Sequence, residues 1–396
     1  MTAVDPRAAD FDVVVVGGGI VGASAGLRCA RAGARVAVVD AGLAGQATAA
    51  GAGIVSPVGL SGRETSLQWT TLVASAIAHY DRLLDLLSEA GMSDVGFSHV
   101  GEIVVPTRET DGPLLDDLAG RLTILAEQGI AVGRVERLHP PDIARSWPEL
   151  RTDLHGLFIE NVARLDGRRM CAAIGDLARS RGATFIDGLA DISVGADGTC
   201  ALRVDGEPVG ADAIILAAGA WSLPTLRALG VRTAVHPVRG QIVHLDVEST
   251  RTDARPVVNT FEGHYFLGFP EHRVVTGGTH EPDAGFDYRV TAEGLQSVLS
   301  KALRIAPGLG AGTVVETRVG FRPRSADGYP LLGRPRTDHN VVVATGLGSW
   351  GLTLGPMVGE VAAEQALGLP ASTDLDVLAP DREPIDIPAT PSPDVA

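Results

Sequence analysis

Residues 11–22, FDVVVVGGGIVG, constrain the fold more than any other part of this 396-residue chain. Four consecutive valines read as a buried β-strand, and they run directly into Gly17-x-Gly19-x-x-Gly22 at the head of an apolar helix. Gly17 permits a tight turn, Gly19 lets backbone approach a pyrophosphate, and Gly22 lets the helix pack closely on the strand. The positive end of that helix then faces the phosphates with free N–H groups. The next apolar run, residues 35–40 (RVAVVD), ends in Asp40, a carboxylate placed to accept hydrogen bonds from a ribose 2'-OH. A glycine triplet alone is weak evidence. Strand, turn, helix and acidic strand end together predict a dinucleotide site, for FAD or NAD.

A chain of this length exceeds one ordinary core, which predicts two intimately joined domains. The composition, 45% hydrophobic and 20% charged, is that of a globular protein. A net charge of -15 argues against nucleic acid as a partner, because phosphate binding needs clustered Lys and Arg. No apolar run is long enough to span a bilayer, and no basic segment followed by an apolar run opens the chain. The expectation is a cytoplasmic protein, with peripheral attachment to the inner membrane face left open. Cys29, Cys171 and Cys200 form no C-x-x-C pair, so neither a metal cage nor a disulfide framework is expected.

Helical periodicity predicts helices near residues 67–90, 113–129 and 167–182, and alternating or apolar runs predict antiparallel strands at 240–247, 264–269 and 273–277. Residues 210–222 read as a strand ending in small residues. Residues 339–359 read as a strand, a glycine-rich turn and a helix with Pro356 in its first turn, where a missing N–H costs nothing. Strand-to-glycine turns at Gly17, Gly219 and Gly346 predict a discontinuous first domain with a second inserted in it. The expected fold is α/β, a Rossmann-like domain (residues 11–90, 140–225 and 325–380) with an inserted α+β, antiparallel-sheet substrate domain (91–139 and 226–324). Residues 1–10 and 384–396 are expected to be flexible tails.

The opening unit, then ADAIILAAGAWS, VGFRPRSADGYPLLG and NVVVATGLGSWGLTLGP, resemble in that order the motifs of the FAD-dependent D-amino acid oxidase superfamily. The resemblance spans roughly residues 11–368 and is nearest the glycine oxidase, sarcosine oxidase and D-amino acid dehydrogenase branches. It implies FAD rather than NAD, with the isoalloxazine at the junction of the two domains. It also implies oxidation of the C–N bond of a small, D-amino acid-like amino acid or amine, by hydride transfer to flavin N5, giving an imine that hydrolyses to a keto acid. Gly17, Gly19, Ile20, Val21, Gly22, Asp40 and Ala41 would hold the ADP moiety. The small-residue loop 43–53, with Thr48, Ala49, Gly51 and Gly53, would run along the pyrophosphate and flavin. Ala218, Gly219, Trp221, Gly348, Ser349, Gly351, Leu352 and Thr353 complete the implied cofactor set, with a helix beginning near Leu354 pointing its positive end at the flavin. No His or Cys occurs in residues 42–53 or after His339, so the FAD is expected to be non-covalent.

In those relatives the arginine of the G-x-R-P pattern pairs with the substrate carboxylate, and Arg322 occupies that place. A planar guanidinium grips a carboxylate through two parallel hydrogen bonds. The competing reading is an internal ion pair. Arg318 and Arg324 are expected at the surface or in structural roles. Tyr265 matches a tyrosine that reaches the substrate; a core aromatic is its alternative. His264 beside it points to the other face of a regular strand, so only one of the two can line the pocket. His236 and Arg239 are weaker candidates. Where glycine oxidase has a second carboxylate-binding arginine, this chain has Ser349 or Trp350, the latter a possible apolar wall. Thr276 is matched to the lysine by which sarcosine oxidase-like members activate oxygen, which favours a quinone or carrier over oxygen as electron acceptor. Alternative functions are a 2-hydroxy acid oxidoreductase, a secondary-amine tailoring oxidase, or the flavin subunit of a larger dehydrogenase.

Overall fold

The computed structural model describes residues 10–60, 67–195, 199–248, 252–336, 340–371 and 376–383. The two expected tails lie outside these residues apart from Asp10, whose carboxylate accepts the Gly210 N–H at 2.9 Å.

Phe11–Val16 sits inside a six-stranded sheet whose order is Leu331–Gly333, Val341–Thr345, Ala211–Leu216, Phe11–Val16, Val36–Asp40 and Thr184–Asp187. The pairings are parallel except that of Leu331–Gly333, which runs antiparallel at the edge. Both faces are covered, which is why the strand reads as an unbroken apolar run. Val13 and Val15 pack into a cluster supplied by the helices Ile20–Arg31, Leu67–Glu89, Gly167–Ser180 and Gly351–Ala366. Val14 and Val16 pack on the other side against Ile192, Leu202 and Val204 of a three-stranded antiparallel sheet. Cys29 is fully buried in the first of these helices, as expected.

The last helix differs from the sequence reading. It begins at Gly351, not near Leu354, so Pro356 lies within the helix rather than in its first turn. The missing Pro356 N–H leaves the Leu352 carbonyl without its usual donor, and the Tyr80 hydroxyl donates to that carbonyl instead. A buried tyrosine from the neighbouring helix thus makes the proline tolerable.

The second sheet has eight strands in the order Thr313–Ser325, Val235–Asp246, Arg273–Gly277, Tyr265–Gly268, Val257–Thr260, Glu102–Val105, Gly156–Ile159 and Val135–Leu138. It is antiparallel except where Val257–Thr260 runs parallel to Glu102–Val105. Gly156–Ile159, expected in the nucleotide-binding part, pairs here between Glu102–Val105 and Val135–Leu138, because Leu157 and Ile159 bury against this sheet's own apolar cluster. One face packs on the helix Ala292–Ile305. The long pair Val235–Asp246 and Thr313–Ser325 runs from this sheet to the first, where Val235 joins Leu331 in one cluster. The turn at Asp327 and Gly328 forms as expected, with Gly328 at φ 72°. Asp327 does more than shape it, since its buried carboxylate pairs with Arg382 at 2.8 Å and ties down the chain beyond the expected domain limit.

Candidate active site between the two sheets

At the parallel sheet, the glycines of the opening motif are demanded by the chain's own backbone. Gly17 has φ 109°, and a Cβ built there falls under 3.0 Å from Ala217 O. A Cβ on Gly22 falls equally close to Gly17 O. Asp40 turns back over the turn and accepts from the N–H groups of Gly18 and Gly42 and from Gln46 Nε2, the last two at 2.7 Å. Thr48 Oγ1 accepts the Ile20 N–H at 3.0 Å, capping one of the donors that open the helix. Ala41 is exposed, while residues 46–52 form a half-buried row of mostly small residues above the second sheet. Gly53, at φ 101°, backs onto Leu165 O. Ile20, Val21, Leu352 and Thr353 are buried.

At the ends of two further strands the glycines are bare for another reason. Built Cβ atoms on Gly219, Gly348 and Gly351 meet nothing within 4 Å. Gly51 of the row 46–52 lies against Leu352 of the helix Gly351–Ala366, and Ala50 lies over Gly320 of the second sheet. Ala218 and Trp221 are half-buried beside Gly219, with Trp221 stacked on Phe286 at 5.2 Å. Ser349 is exposed, and Trp350 packs edge-on against Trp69 at 5.3 Å.

On the face of the eight-stranded sheet that Ala50 covers at Gly320, Arg322 and Tyr265 come together. Strand register puts Gly240 opposite Gly320, and Gly277 opposite both Ile242 and Tyr265. The Tyr265 hydroxyl lies over Gly277 and Gly278, with built Cβ distances of 3.1 and 2.9 Å. The Arg322 guanidinium lies over Gly240, next to the Tyr265 side chain, and donates from Nη1 to Thr279 O at 3.0 Å. Among the described residues no carboxylate lies within ion-pair distance of Arg322, so the internal ion pair is not formed. Burial raises the Tyr265 phenol above its usual range, and Arg322 opposes that shift.

Three sequence candidates fall elsewhere. His264 is buried on the opposite face, bonded through Nε2 to Thr276 Oγ1 at 2.8 Å, and burial pushes it down to about 4. Thr276 shares that face, so it does not stand where a lysine would approach a flavin beside Arg322. Arg239 alternates away from Gly240 and is held by Glu281 and by Asp287 at 2.8 Å, which makes it a structural cation. His236 is exposed. Arg318 pairs with Glu316 at 2.9 Å, and Arg324 is exposed beside His280. Sequence reasoning passes over Thr279, Gly240 and Gly278. The signal is there, since glycine inside a strand marks close approach of another group, and both RGQ and VVTGGTH carry it.

Among the described residues no cluster of His, Cys, Asp or Glu could hold a metal ion, and no helix is long and apolar enough to cross a membrane. A family model described as FAD dependent oxidoreductase matches residues 12–365. The chain is 38% identical over 368 residues to the uncharacterized oxidoreductase YurR of Bacillus subtilis (strain 168), covering 93% of this chain and 98% of that protein. The crystal structure of iminodiacetate oxidase (IdaA) from Chelativorans sp. BNC1 superposes with a TM-score of 0.87 at 38% identity, over 93% of this chain and 98% of that one. Glycine oxidase from Geobacillus kaustophilus superposes at 0.84 with 27% identity, over 95% and 100%. The glycine turn with Asp40 folded over it fits a dinucleotide cofactor, and the chain belongs to the FAD dependent oxidoreductase family, with a Rossmann-like FAD-binding part and a second, antiparallel-sheet part.

Proposed function

We propose that this oxidoreductase acts on the C–N bond of a small amino acid whose carboxylate is gripped by Arg322. One observation carries the reading: a half-buried guanidinium with no carboxylate partner among the described residues, held by Thr279 O beside Tyr265 on the sheet face that Ala50 covers at Gly320. FAD, when bound, supplies the hydride acceptor. Arg322 supplies the positive charge and two-point geometry that fix the carboxylate, and Tyr265 lies beside the guanidinium. Holding the Cα–H in one orientation is the protein's main contribution to such a reaction. The product imine then hydrolyses to a keto acid.

Gly17, Gly22, Asp40, Thr48, Gly219 and Gly351 are the residues we assign to the FAD cradle. A secondary amine is a second reading, favoured by the 38% identity to iminodiacetate oxidase. The expectation of a quinone or carrier as acceptor loses its basis with Thr276 on the far face, so oxygen stands beside them.

The test is anaerobic mixing of the holoprotein with glycine, D-amino acids, sarcosine, iminodiacetate, proline and 2-hydroxy acids, followed by flavin absorbance. Bleaching by a carboxylate-bearing amine supports the proposal, and admitting air then settles whether oxygen accepts the electrons. Bleaching by hydroxy acids alone overturns it.

A further inference from the structure

Glycine in the interior of a strand is destabilising relative to alanine and needs a reason. Gly240 lies in the middle of Val235–Asp246, a strand paired along its whole length with Thr313–Ser325. A Cβ built on Gly240 meets Nη1, Cζ and Nη2 of Arg322, all under 3.0 Å. The bare Cα is therefore the seat on which the guanidinium lies. The adjacent bare position across the strand pair, Gly320, is already covered by Ala50 Cβ, which a built Cβ would meet at 2.5 Å. The arginine thus has no second place to lie flat.

We propose that Gly240 is a positioning residue that sets how Arg322 presents its guanidinium, and so the affinity of this site for carboxylates. This rests on the reading of Arg322 as the carboxylate-binding group. The atoms a new methyl would meet are the far end of a flexible side chain rather than backbone. An alanine at 240 should therefore leave the strand intact and lift the guanidinium off the sheet, breaking its bond to Thr279 O and moving it from beside Tyr265. Displacements of about 1 Å in a positioning group are enough to cost roughly 100-fold in such sites.

The experiment compares wild type, Gly240→Ala, Arg322→Met and the double variant as holoproteins. The probe is benzoate, a carboxylate with no C–N bond to oxidise, titrated through the flavin absorbance. Gly240→Ala should keep its FAD and its unfolding temperature while the benzoate Kd rises roughly tenfold or more, the scale of a lost charge-assisted bond. In the Arg322→Met background the same change should add nothing, because the clashing atoms are gone. Unchanged benzoate affinity in Gly240→Ala, or an equal loss in both backgrounds, overturns the proposal. Benzoate binding that Arg322→Met leaves untouched, or no benzoate binding by wild type, counts instead against the role of Arg322. A crystal structure of the Gly240→Ala holoprotein then decides the seat: a guanidinium still lying over residue 240 overturns it, and a displaced one supports it.

Discussion

Two groups of glycines meet at this site, and they are glycine for opposite reasons. Around the parallel sheet, Gly17, Gly22 and Gly53 press against backbone oxygens of Ala217, Gly17 and Leu165. Neither side of those contacts can give way. On the antiparallel sheet, Gly240, Gly277 and Gly278 lie beneath the ends of Arg322 and Tyr265, which can move. The first group therefore fixes whether the cofactor part folds at all, and the second fixes where the Arg322 and Tyr265 side chains rest. Loss of fold and loss of function should separate along this line.

The largest effect is expected from Gly22→Ala, whose methyl would collide with Gly17 O at the helix start. Destabilisation of about 3 kcal/mol or more, the scale of an overpacked core site, should come with loss of bound FAD. Flavin absorbance per protein and thermal unfolding measure it. A variant with full FAD and an unchanged midpoint would break the comparison.

Arg322→Met should instead keep FAD and fold while kcat/KM for the amino acid substrate falls roughly 100-fold or more, since a hydrogen-bonded charge pair is removed. Arg239→Met is the complementary control one residue from the seat. It removes the cation between Glu281 and Asp287, which keep Gln241 Nε2 at 2.8 Å and Arg289 at 2.9 Å, and should lower the unfolding midpoint in urea. Urea unfolding distinguishes the two variants, and equal stability losses would erase the contrast between Arg322 and Arg239.

The last effect lies away from the site, at Glu102. It lies buried on the strand next to Val257–Thr260, accepts from Asn259 Nδ2 at 3.1 Å and Ser56 Oγ at 3.0 Å, and burial pushes it up to about 7. A carboxyl raised above its unfolded value of about 4.5 contributes stability that is complete below that value and is lost as pH rises through about 7. Between pH 4.5 and 8 the wild type should lose up to roughly 3 kcal/mol relative to Glu102→Gln, because each tenfold change in proton affinity is worth about 1.4 kcal/mol. Parallel stability curves for the two proteins across this range would contradict it.

The residues legible from sequence are those whose demands are local. Gly17, Gly22 and Asp40 sit within one strand–helix–strand unit, so spacing alone places them. Arg322 is placed by the resemblance of the G-x-R-P pattern around it to that of the family, not by the local residues alone. Arg239 reads as a site candidate because its true partners, Glu281 and Asp287, lie on a distant segment that only the sheet register brings near. Thr276 is matched by its place after a short motif, whereas the strand's alternation turns it to His264 and the helix Ala292–Ile305. Pro356 reads as a first-turn residue because nothing local reveals that Tyr80, from another helix, satisfies the carbonyl it frees. Gly156–Ile159 is four residues long, too short for its pattern to say which sheet it joins.

The central claim is that Arg322, lying over Gly240, binds the substrate carboxylate. It is tested most directly by rates of anaerobic flavin reduction in wild type and Arg322→Met, with each amino acid paired against the amine that lacks its carboxylate, such as glycine with methylamine. The account predicts that wild type strongly prefers the carboxylate-bearing partner and that Arg322→Met loses the preference while retaining FAD. A preference that survives the substitution would contradict it.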